Sequence, residues 1–180
     1  MSSKHRLLAL LGAGLTALAV SATAMGTASA ADVRRIDMHD DCDPVTFAFV
    51  PGGCRGDGET TFPQFLKEVQ ATGAAEDWRY DPSRATVRPG QTIVAKNVGG
   101  EVHTFTCVKA FGGGVVPALN IGANQTLATP CDFPSVFAAA GPTSVLQGKS
   151  ASATAPRSGT AMYQCVIHPW MRTTLRVTGN

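Results

Sequence analysis

From Trp78 onward the chain alternates short apolar or β-branched runs with turn residues: Ala85-Thr86-Val87, the turn Arg88-Pro89-Gly90, the run Gln91 to Val98, and Gly99-Gly100. Runs of this length, bounded by glycine and proline, predict strands. Further strands are expected in the segment NVGGEVHTFTCV around His103, in SVLQGKSASATAP from Ser144, in AMYQCV from Ala161 and in TTLRV from Thr173. Seven or eight such strands specify an all-β fold, an antiparallel Greek-key β-sandwich. Between them, residues 111–134 (FGGGVVPALNIGANQTLATPCDFP) carry too much glycine and proline for a helix. They are expected as a long surface loop clipped by Cys131, which covers a site, shapes a partner surface or is simply an insertion.

A different pattern precedes the strands. Phe62, Phe65, Leu66 and Val69 stand at i, i+3, i+4 and i+7, which predicts an amphipathic helix of about three turns, ended near Gly73 and laid against the sandwich. It belongs to an N-terminal extension, residues 31–76, that opens with the acidic, turn-rich RRIDMHDDCDP. His39 among Asp37, Asp40 and Asp41 reads there as a solvated acidic turn. The stretch GDGETTFPQF is similar to half of a calcium-binding EF-hand loop, but Gly53, Arg55 and Gln64 would then hold the first, third and twelfth positions, which excludes it.

The first 30 residues have a third character. Lys4, His5 and Arg6 precede an apolar run from Leu7 to Val20, and Ala28-Ser29-Ala30 supplies the small residues of a cleavage site. Residues 1–30 are therefore expected to be a secretory signal peptide cut near Ala30, followed by the extension to residue 76 and a sandwich domain over 77–180. The apolar run is short for a membrane span, so the mature protein is expected to be soluble and exported, extracellular or periplasmic. Cleavage removes Lys4 and Arg6 and no acid, which lowers 15 basic residues to 13 against 13 acidic. A near-neutral chain offers no basic patch for nucleic acid or an anionic membrane.

The candidate chemistry lies in Tyr163 to Met171, YQCVIHPWM. A soft thiolate, an imidazole and a thioether, Cys165, His168 and Met171, fall within seven residues, and this donor mix suits copper rather than magnesium, calcium or manganese. A short loop after a strand turns all three side chains toward one point, with Pro169 stiffening the turn. His103 supplies the second imidazole from a neighbouring strand. Two histidines, a cysteine and a weak axial methionine form a mononuclear blue-copper set, whose usual work is electron transfer. A lone Cys-x-x-His is more often an inert core thiol and a satisfied histidine, and Met171 with His103 shifts the balance.

At YQCVIHPWMR and NVGGEVHTF the chain resembles the cupredoxin family, and its ligand loop is most similar to that of amicyanin in the plastocyanin-like group. The resemblance covers roughly residues 77 to 180. It implies His103, Cys165 and His168 as equatorial ligands of one copper and Met171 as the axial one. The residue after the first histidine, an asparagine that ties two ligand loops together in plastocyanin, is Thr104 here.

The chain has five cysteines, and an exported protein normally pairs them. With Cys165 as thiolate, Cys42, Cys54, Cys107 and Cys131 allow three connectivities, of which nearest-neighbour pairing, Cys42 with Cys54 and Cys107 with Cys131, is expected.

The expected function is that of a single-electron carrier, not an enzyme. Multicopper oxidases and copper nitrite reductases need further histidine clusters, whereas only His39, His103 and His168 follow the signal peptide. The alternative is a copper chaperone or storage protein, against which only Met38, Met162 and Met171 remain as thioethers. The carrier is expected to be a monomer that meets redox partner proteins through an apolar surface around His168 and Trp170, with the His168 ring edge reaching solvent.

Overall fold

The structure, a computed structural model, describes residues 33–121 and 126–179. The expected signal peptide and its cleavage site lie outside them. In chain order the elements are β1 (Val33–His39), α1 (Phe62–Thr72), β2 (Arg79–Asp81), β3 (Arg84–Val87), β4 (Thr92–Asn97), β5 (His103–Thr104), β6 (Thr106–Ala110), β7 (Thr129–Pro130), α2 (Val136–Ala140), β8 (Ser144–Val145), β9 (Ser150–Thr154), β10 (Gly159–Gln164) and β11 (Arg172–Val177). These are eleven strands among the described residues against seven or eight expected. The surplus consists of β1 and of pieces two or three residues long.

Two sheets form the sandwich, in the orders β2-β1-β4-β9 and β3-β11-β10-β6-β7, with β5 and β8 paired separately. One apolar core joins them. Ile36, Met38, Ile93 and Ala95 come from the first sheet and Val87, Ala161, Tyr163, Leu175 and Val177 from the second. Along β4 and β11 the buried positions alternate with more accessible ones, as a period of two requires of strands with one face in a core. Most pairings are antiparallel, but β1 lies parallel to β4 and β3 parallel to β11.

The segment read as an extension is built into this frame. Its strand β1 lies between β2 and β4 and pairs with β4 from Val33↔Thr92 to Met38↔Asn97. Helix α1 stands where the apolar spacing placed it: Phe65 and Val69 are buried, and Gly73, at φ 80°, ends it by donating to Val69 O at 2.8 Å. At its start Gln64 Oε1 accepts from the Thr61 N–H at 2.8 Å. Both expected disulfides, Cys42–Cys54 and Cys107–Cys131, are present, and Cys165 is free and buried. The first clips the extension over Gly100, where an added Cβ would lie 2.7 Å from Cys42 Sγ and 2.3 Å from Arg55 O.

The described part of the 111–134 loop holds a 3-10 turn (Pro117–Leu119) and β7, and Gly113 bridges to Leu127. Helix α2, unexpected from the sequence, follows, with Ser135 Oγ accepting from the Ala138 N–H at 3.2 Å.

Candidate metal centre

Sheet register brings two distant stretches to one place. Gln164 ends β10 opposite both Thr106 of β6 and Arg172 of β11, so the loop 165–171 leaves the sheet at the end where His103 and Thr104 enter it. The loop closes on itself: the Cys165 N–H donates to Met171 O and the Met171 N–H to His168 O, each at 3.0 Å. As a result, His103, Cys165 and His168 each direct a donor atom into one cluster, all within 4.8 Å of one another, and all three residues are buried. Cys165 Sγ lies 3.9 Å from His168 Nδ1, and Met171 at the end of the loop is fully buried.

The ring nitrogens turned away from the cluster meet carboxylates. His103 Nε2 lies 2.7 Å from Asp40 Oδ2, and His168 Nε2 lies 3.5 Å from Glu101 Oε2. Glu101 is held in turn by the Trp78 indole N–H, which donates to Oε2 at 2.6 Å. Asp40 also accepts the backbone N–H groups of Gly100 (2.9 Å) and Glu101 (3.0 Å). Glycine is required at 99, where a Cβ would fall 2.0 Å from Asp40 Oδ2. A carboxylate on the outer nitrogen of a histidine fixes its tautomer and orients the other nitrogen as a metal donor.

His103 Nδ1 is accordingly buried with no hydrogen-bond partner. An orphaned buried nitrogen is costly, and a metal ion at the cluster would satisfy it. The sulfur is supported from two sides, by the N–H groups of Thr104 at 3.4 Å and His168 at 3.5 Å. Thr104 also ties the two ligand segments together, because its Oγ1 accepts from the Val166 N–H at 2.8 Å. Threonine thus performs by hydroxyl and backbone the role that the family resemblance gives to asparagine.

Electrostatics follow the same pattern. Burial raises the Cys165 thiol, but the flanking His103 and His168 overrule it and hold it well below its usual range, as a ligand thiolate requires. For His103, burial opposes protonation, yet the Asp40 hydrogen bond and the neighbouring Cys165 raise it from 6.5 to about 9. Asp40 is likewise opposed by burial and still falls from 3.8 to about 2 through His103 and its backbone donors. Glu101 is raised, mainly by burial.

The His168 ring does not reach solvent. Its residue is 2% exposed, a correction to the expected surface ring edge. Trp78 and Phe65 from the N-terminal side pack beside it with centroids 6.4 and 6.1 Å away, and Trp170 closes a third side at 5.7 Å. Trp170 itself donates from Nε1 to Ala75 O at 3.1 Å, pinning the ligand loop to the segment after α1. Sequence reasoning missed Asp40, Trp78 and Glu101.

Two imidazoles, a thiolate and a buried methionine are clustered as in a type 1 copper site. The two-sheet sandwich with this donor cluster at its end agrees with the cupredoxin fold that the sequence resemblance implies. No protein-family model matches the sequence, and no curated protein matches it. Among solved structures, a purple cupredoxin from Nitrosopumilus maritimus is similar at 14% identity and a TM-score of 0.41, over 58% of this chain and 86% of its own. An amicyanin variant in its reduced Cu(I) form is similar at 22% identity and a TM-score of 0.36, over 58% and 77%. A copper-containing nitrite reductase from Thermus scotoductus is similar at 17% identity and a TM-score of 0.36, over 56% of this chain and 20% of its own. Among the described residues, no helix is long and apolar enough to cross a membrane.

Proposed function

We propose that this cupredoxin is an exported single-electron carrier that binds one copper ion through His103 Nδ1, Cys165 Sγ and His168 Nδ1, with Met171 as the axial ligand. The observation that carries the reading is the orphaned Nδ1 of His103, buried beside the free Cys165 thiol with its Nε2 already engaged by Asp40. Copper, when bound, supplies a one-electron couple between Cu(I) and Cu(II). Everything else is the work of the chain. The closed loop, the paired carboxylates and the two N–H donors on sulfur hold the donor atoms in one arrangement, so a change of oxidation state requires little movement. Phe65, Trp78 and Trp170 shield three sides of His168 from water, which lowers the reorganisation that solvent would add.

An enzyme would need a second group to act on substrate, and the mature chain has only His39 as a further imidazole. A chaperone would need an accessible site, whereas these donors are buried. The test is a copper titration followed by visible absorption. One equivalent of Cu(II) produces an intense thiolate-to-copper band, and Cys165→Ser abolishes it. An unchanged band in that variant would remove Cys165 from the ligand set, and several weakly held, colourless Cu(I) ions would favour the chaperone.

A further inference from the structure

Beside the metal cluster the molecule carries a half-open cleft of about 540 Å³. Its walls come from the N-terminal segment, from residues 115–119 and from the ligand loop, with Phe47, Phe62, Phe65, Leu66, Leu119 and Ile167 as the main apolar contributors. Phe49, 69% exposed, stands at this lining with its ring edge on Phe62, centroids 4.7 Å apart. The volume lies within the ~300–1,000 Å³ typical of small-molecule sites. The chemistry of the lining is one-sided. Its ionisable groups are Glu101 and His168, Ser144 adds a hydroxyl, and neither lysine nor arginine contributes.

Two consequences follow from that lining. A macromolecular partner meets little of His168 across a flat interface, because the residue is 2% exposed, whereas the cleft has it in its lining. A ligand bearing a negative charge would bring it against the Glu101 carboxyl in an apolar wall with no lysine or arginine to offset it, which is unfavourable. A flat ring suits the phenylalanine walls through edge and face contacts. An O–H or N–H on that ring would meet the Glu101 carboxyl oxygen, the acceptor that the cleft supplies beside the site.

We propose that this cleft binds a small, uncharged aromatic molecule carrying a hydroxyl or amine donor, a phenol in the simplest case, with its donor on Glu101 and its ring against His168. The site deepens the electron-carrier reading by giving the buried His168 a small-molecule neighbour, and its occupancy does not depend on copper. Ala118, exposed at the lining, is the position at which the cleft can be filled without disturbing the core.

The experiment is a titration of the full mature protein, metal-free and copper-loaded, with 2-naphthol, and with 2-naphthoate as the anionic counterpart, followed by protein NMR. The expected result is saturable one-site binding of 2-naphthol in both forms, with shifts at Phe65, Ile167 and His168. Naphthoate should bind at least tenfold more weakly, and Ala118→Trp should weaken 2-naphthol at least tenfold while leaving the melting temperature unchanged. In the copper-loaded form 2-naphthol should also shift the visible band. No saturation, equal binding of naphthoate, or indifference to Ala118→Trp at an unchanged melting temperature would each overturn the proposal. If Ala118→Trp lowers the melting temperature, Leu66→Trp on the same wall takes its place under the same criteria. Dimerisation abolished by the filling variant, with no naphthol binding, would assign the cleft to a second copy of the chain instead. Naphthol binding to a protein that takes up no copper would leave the cleft standing and sink only the metal reading.

Discussion

Asp40 Oδ2 lies 2.7 Å from His103 Nε2 across 63 residues of sequence, and both side chains are wholly buried. The contact makes the N-terminal segment part of the metal centre. Removing the carboxylate charge with Asp40→Asn keeps the shape but weakens the hold on the His103 tautomer. We expect copper affinity to fall about 10- to 100-fold, measured by competition with a chelator. An affinity within a factor of two of the parent would show that Asp40 serves only to bind the Gly100 and Glu101 amides.

The same pair sets a pH window for the metal-free protein. The folded pKa of His103, about 9, lies above its ordinary 6.5, so the stability it lends is complete below 6.5 and lost as pH rises through 9. The folded pKa of Asp40, about 2, lies below its ordinary 3.8, so its share is complete above 3.8 and lost as pH falls through 2. The depressed Cys165 thiol offsets the His103 share above pH 6.5, so the pair is read as the melting difference between the metal-free parent and Asp40→Asn, which should be largest at about pH 4 to 6.5 and shrink on both sides. A parent-minus-variant difference that stays constant from about pH 6.5 to 10 would contradict the ion pair.

The donor cluster was legible because its side chains are chemically unusual and three of the four candidates share one loop; only His103 had to be found at a distance. The strands after Trp78 were legible because β-branched runs and glycine-proline turns coincide. Strand β1 was not. In Arg35-Ile36-Asp37-Met38-His39 the buried Ile36 and Met38 alternate with charged neighbours, and the local density of charge resembles a solvated turn. Asp40 was hidden for the same reason: an acid among acids shows its burial only when a partner 63 residues away is known. Glu101 lies two residues from His103 but acts on His168, a relationship that exists only after the two loops meet.

Trp170 changes role once the surface exposure of His168 is removed. Its indole N–H bond to Ala75 O and its contacts with Phe65 and His168 make it a clamp. Trp170→Ala should cost roughly 1–3 kcal/mol in urea unfolding and broaden the copper spectrum by loosening the loop. Unchanged stability together with slower electron exchange would instead make Trp170 a contact for redox partners.

Met171 is fully buried, and its backbone closes the loop on both Cys165 and His168. A long axial thioether adjusts the balance of Cu(I) and Cu(II) more than it holds the ion. Met171→Gln should keep one copper per chain and lower the reduction potential, read by voltammetry. A potential equal to the parent's would place the side chain outside the coordination sphere.

The proposed site joins His103, Cys165 and His168 to one metal ion through the two Nδ1 atoms and the thiolate. A crystal structure of the copper-loaded protein with anomalous data at the copper edge tests it most directly. The expected result is a single anomalous peak bonded to His103 Nδ1, His168 Nδ1 and Cys165 Sγ, with Asp40 and Glu101 still on the outer nitrogens. A peak away from Cys165, or bonded through Nε2 of either histidine, would contradict it.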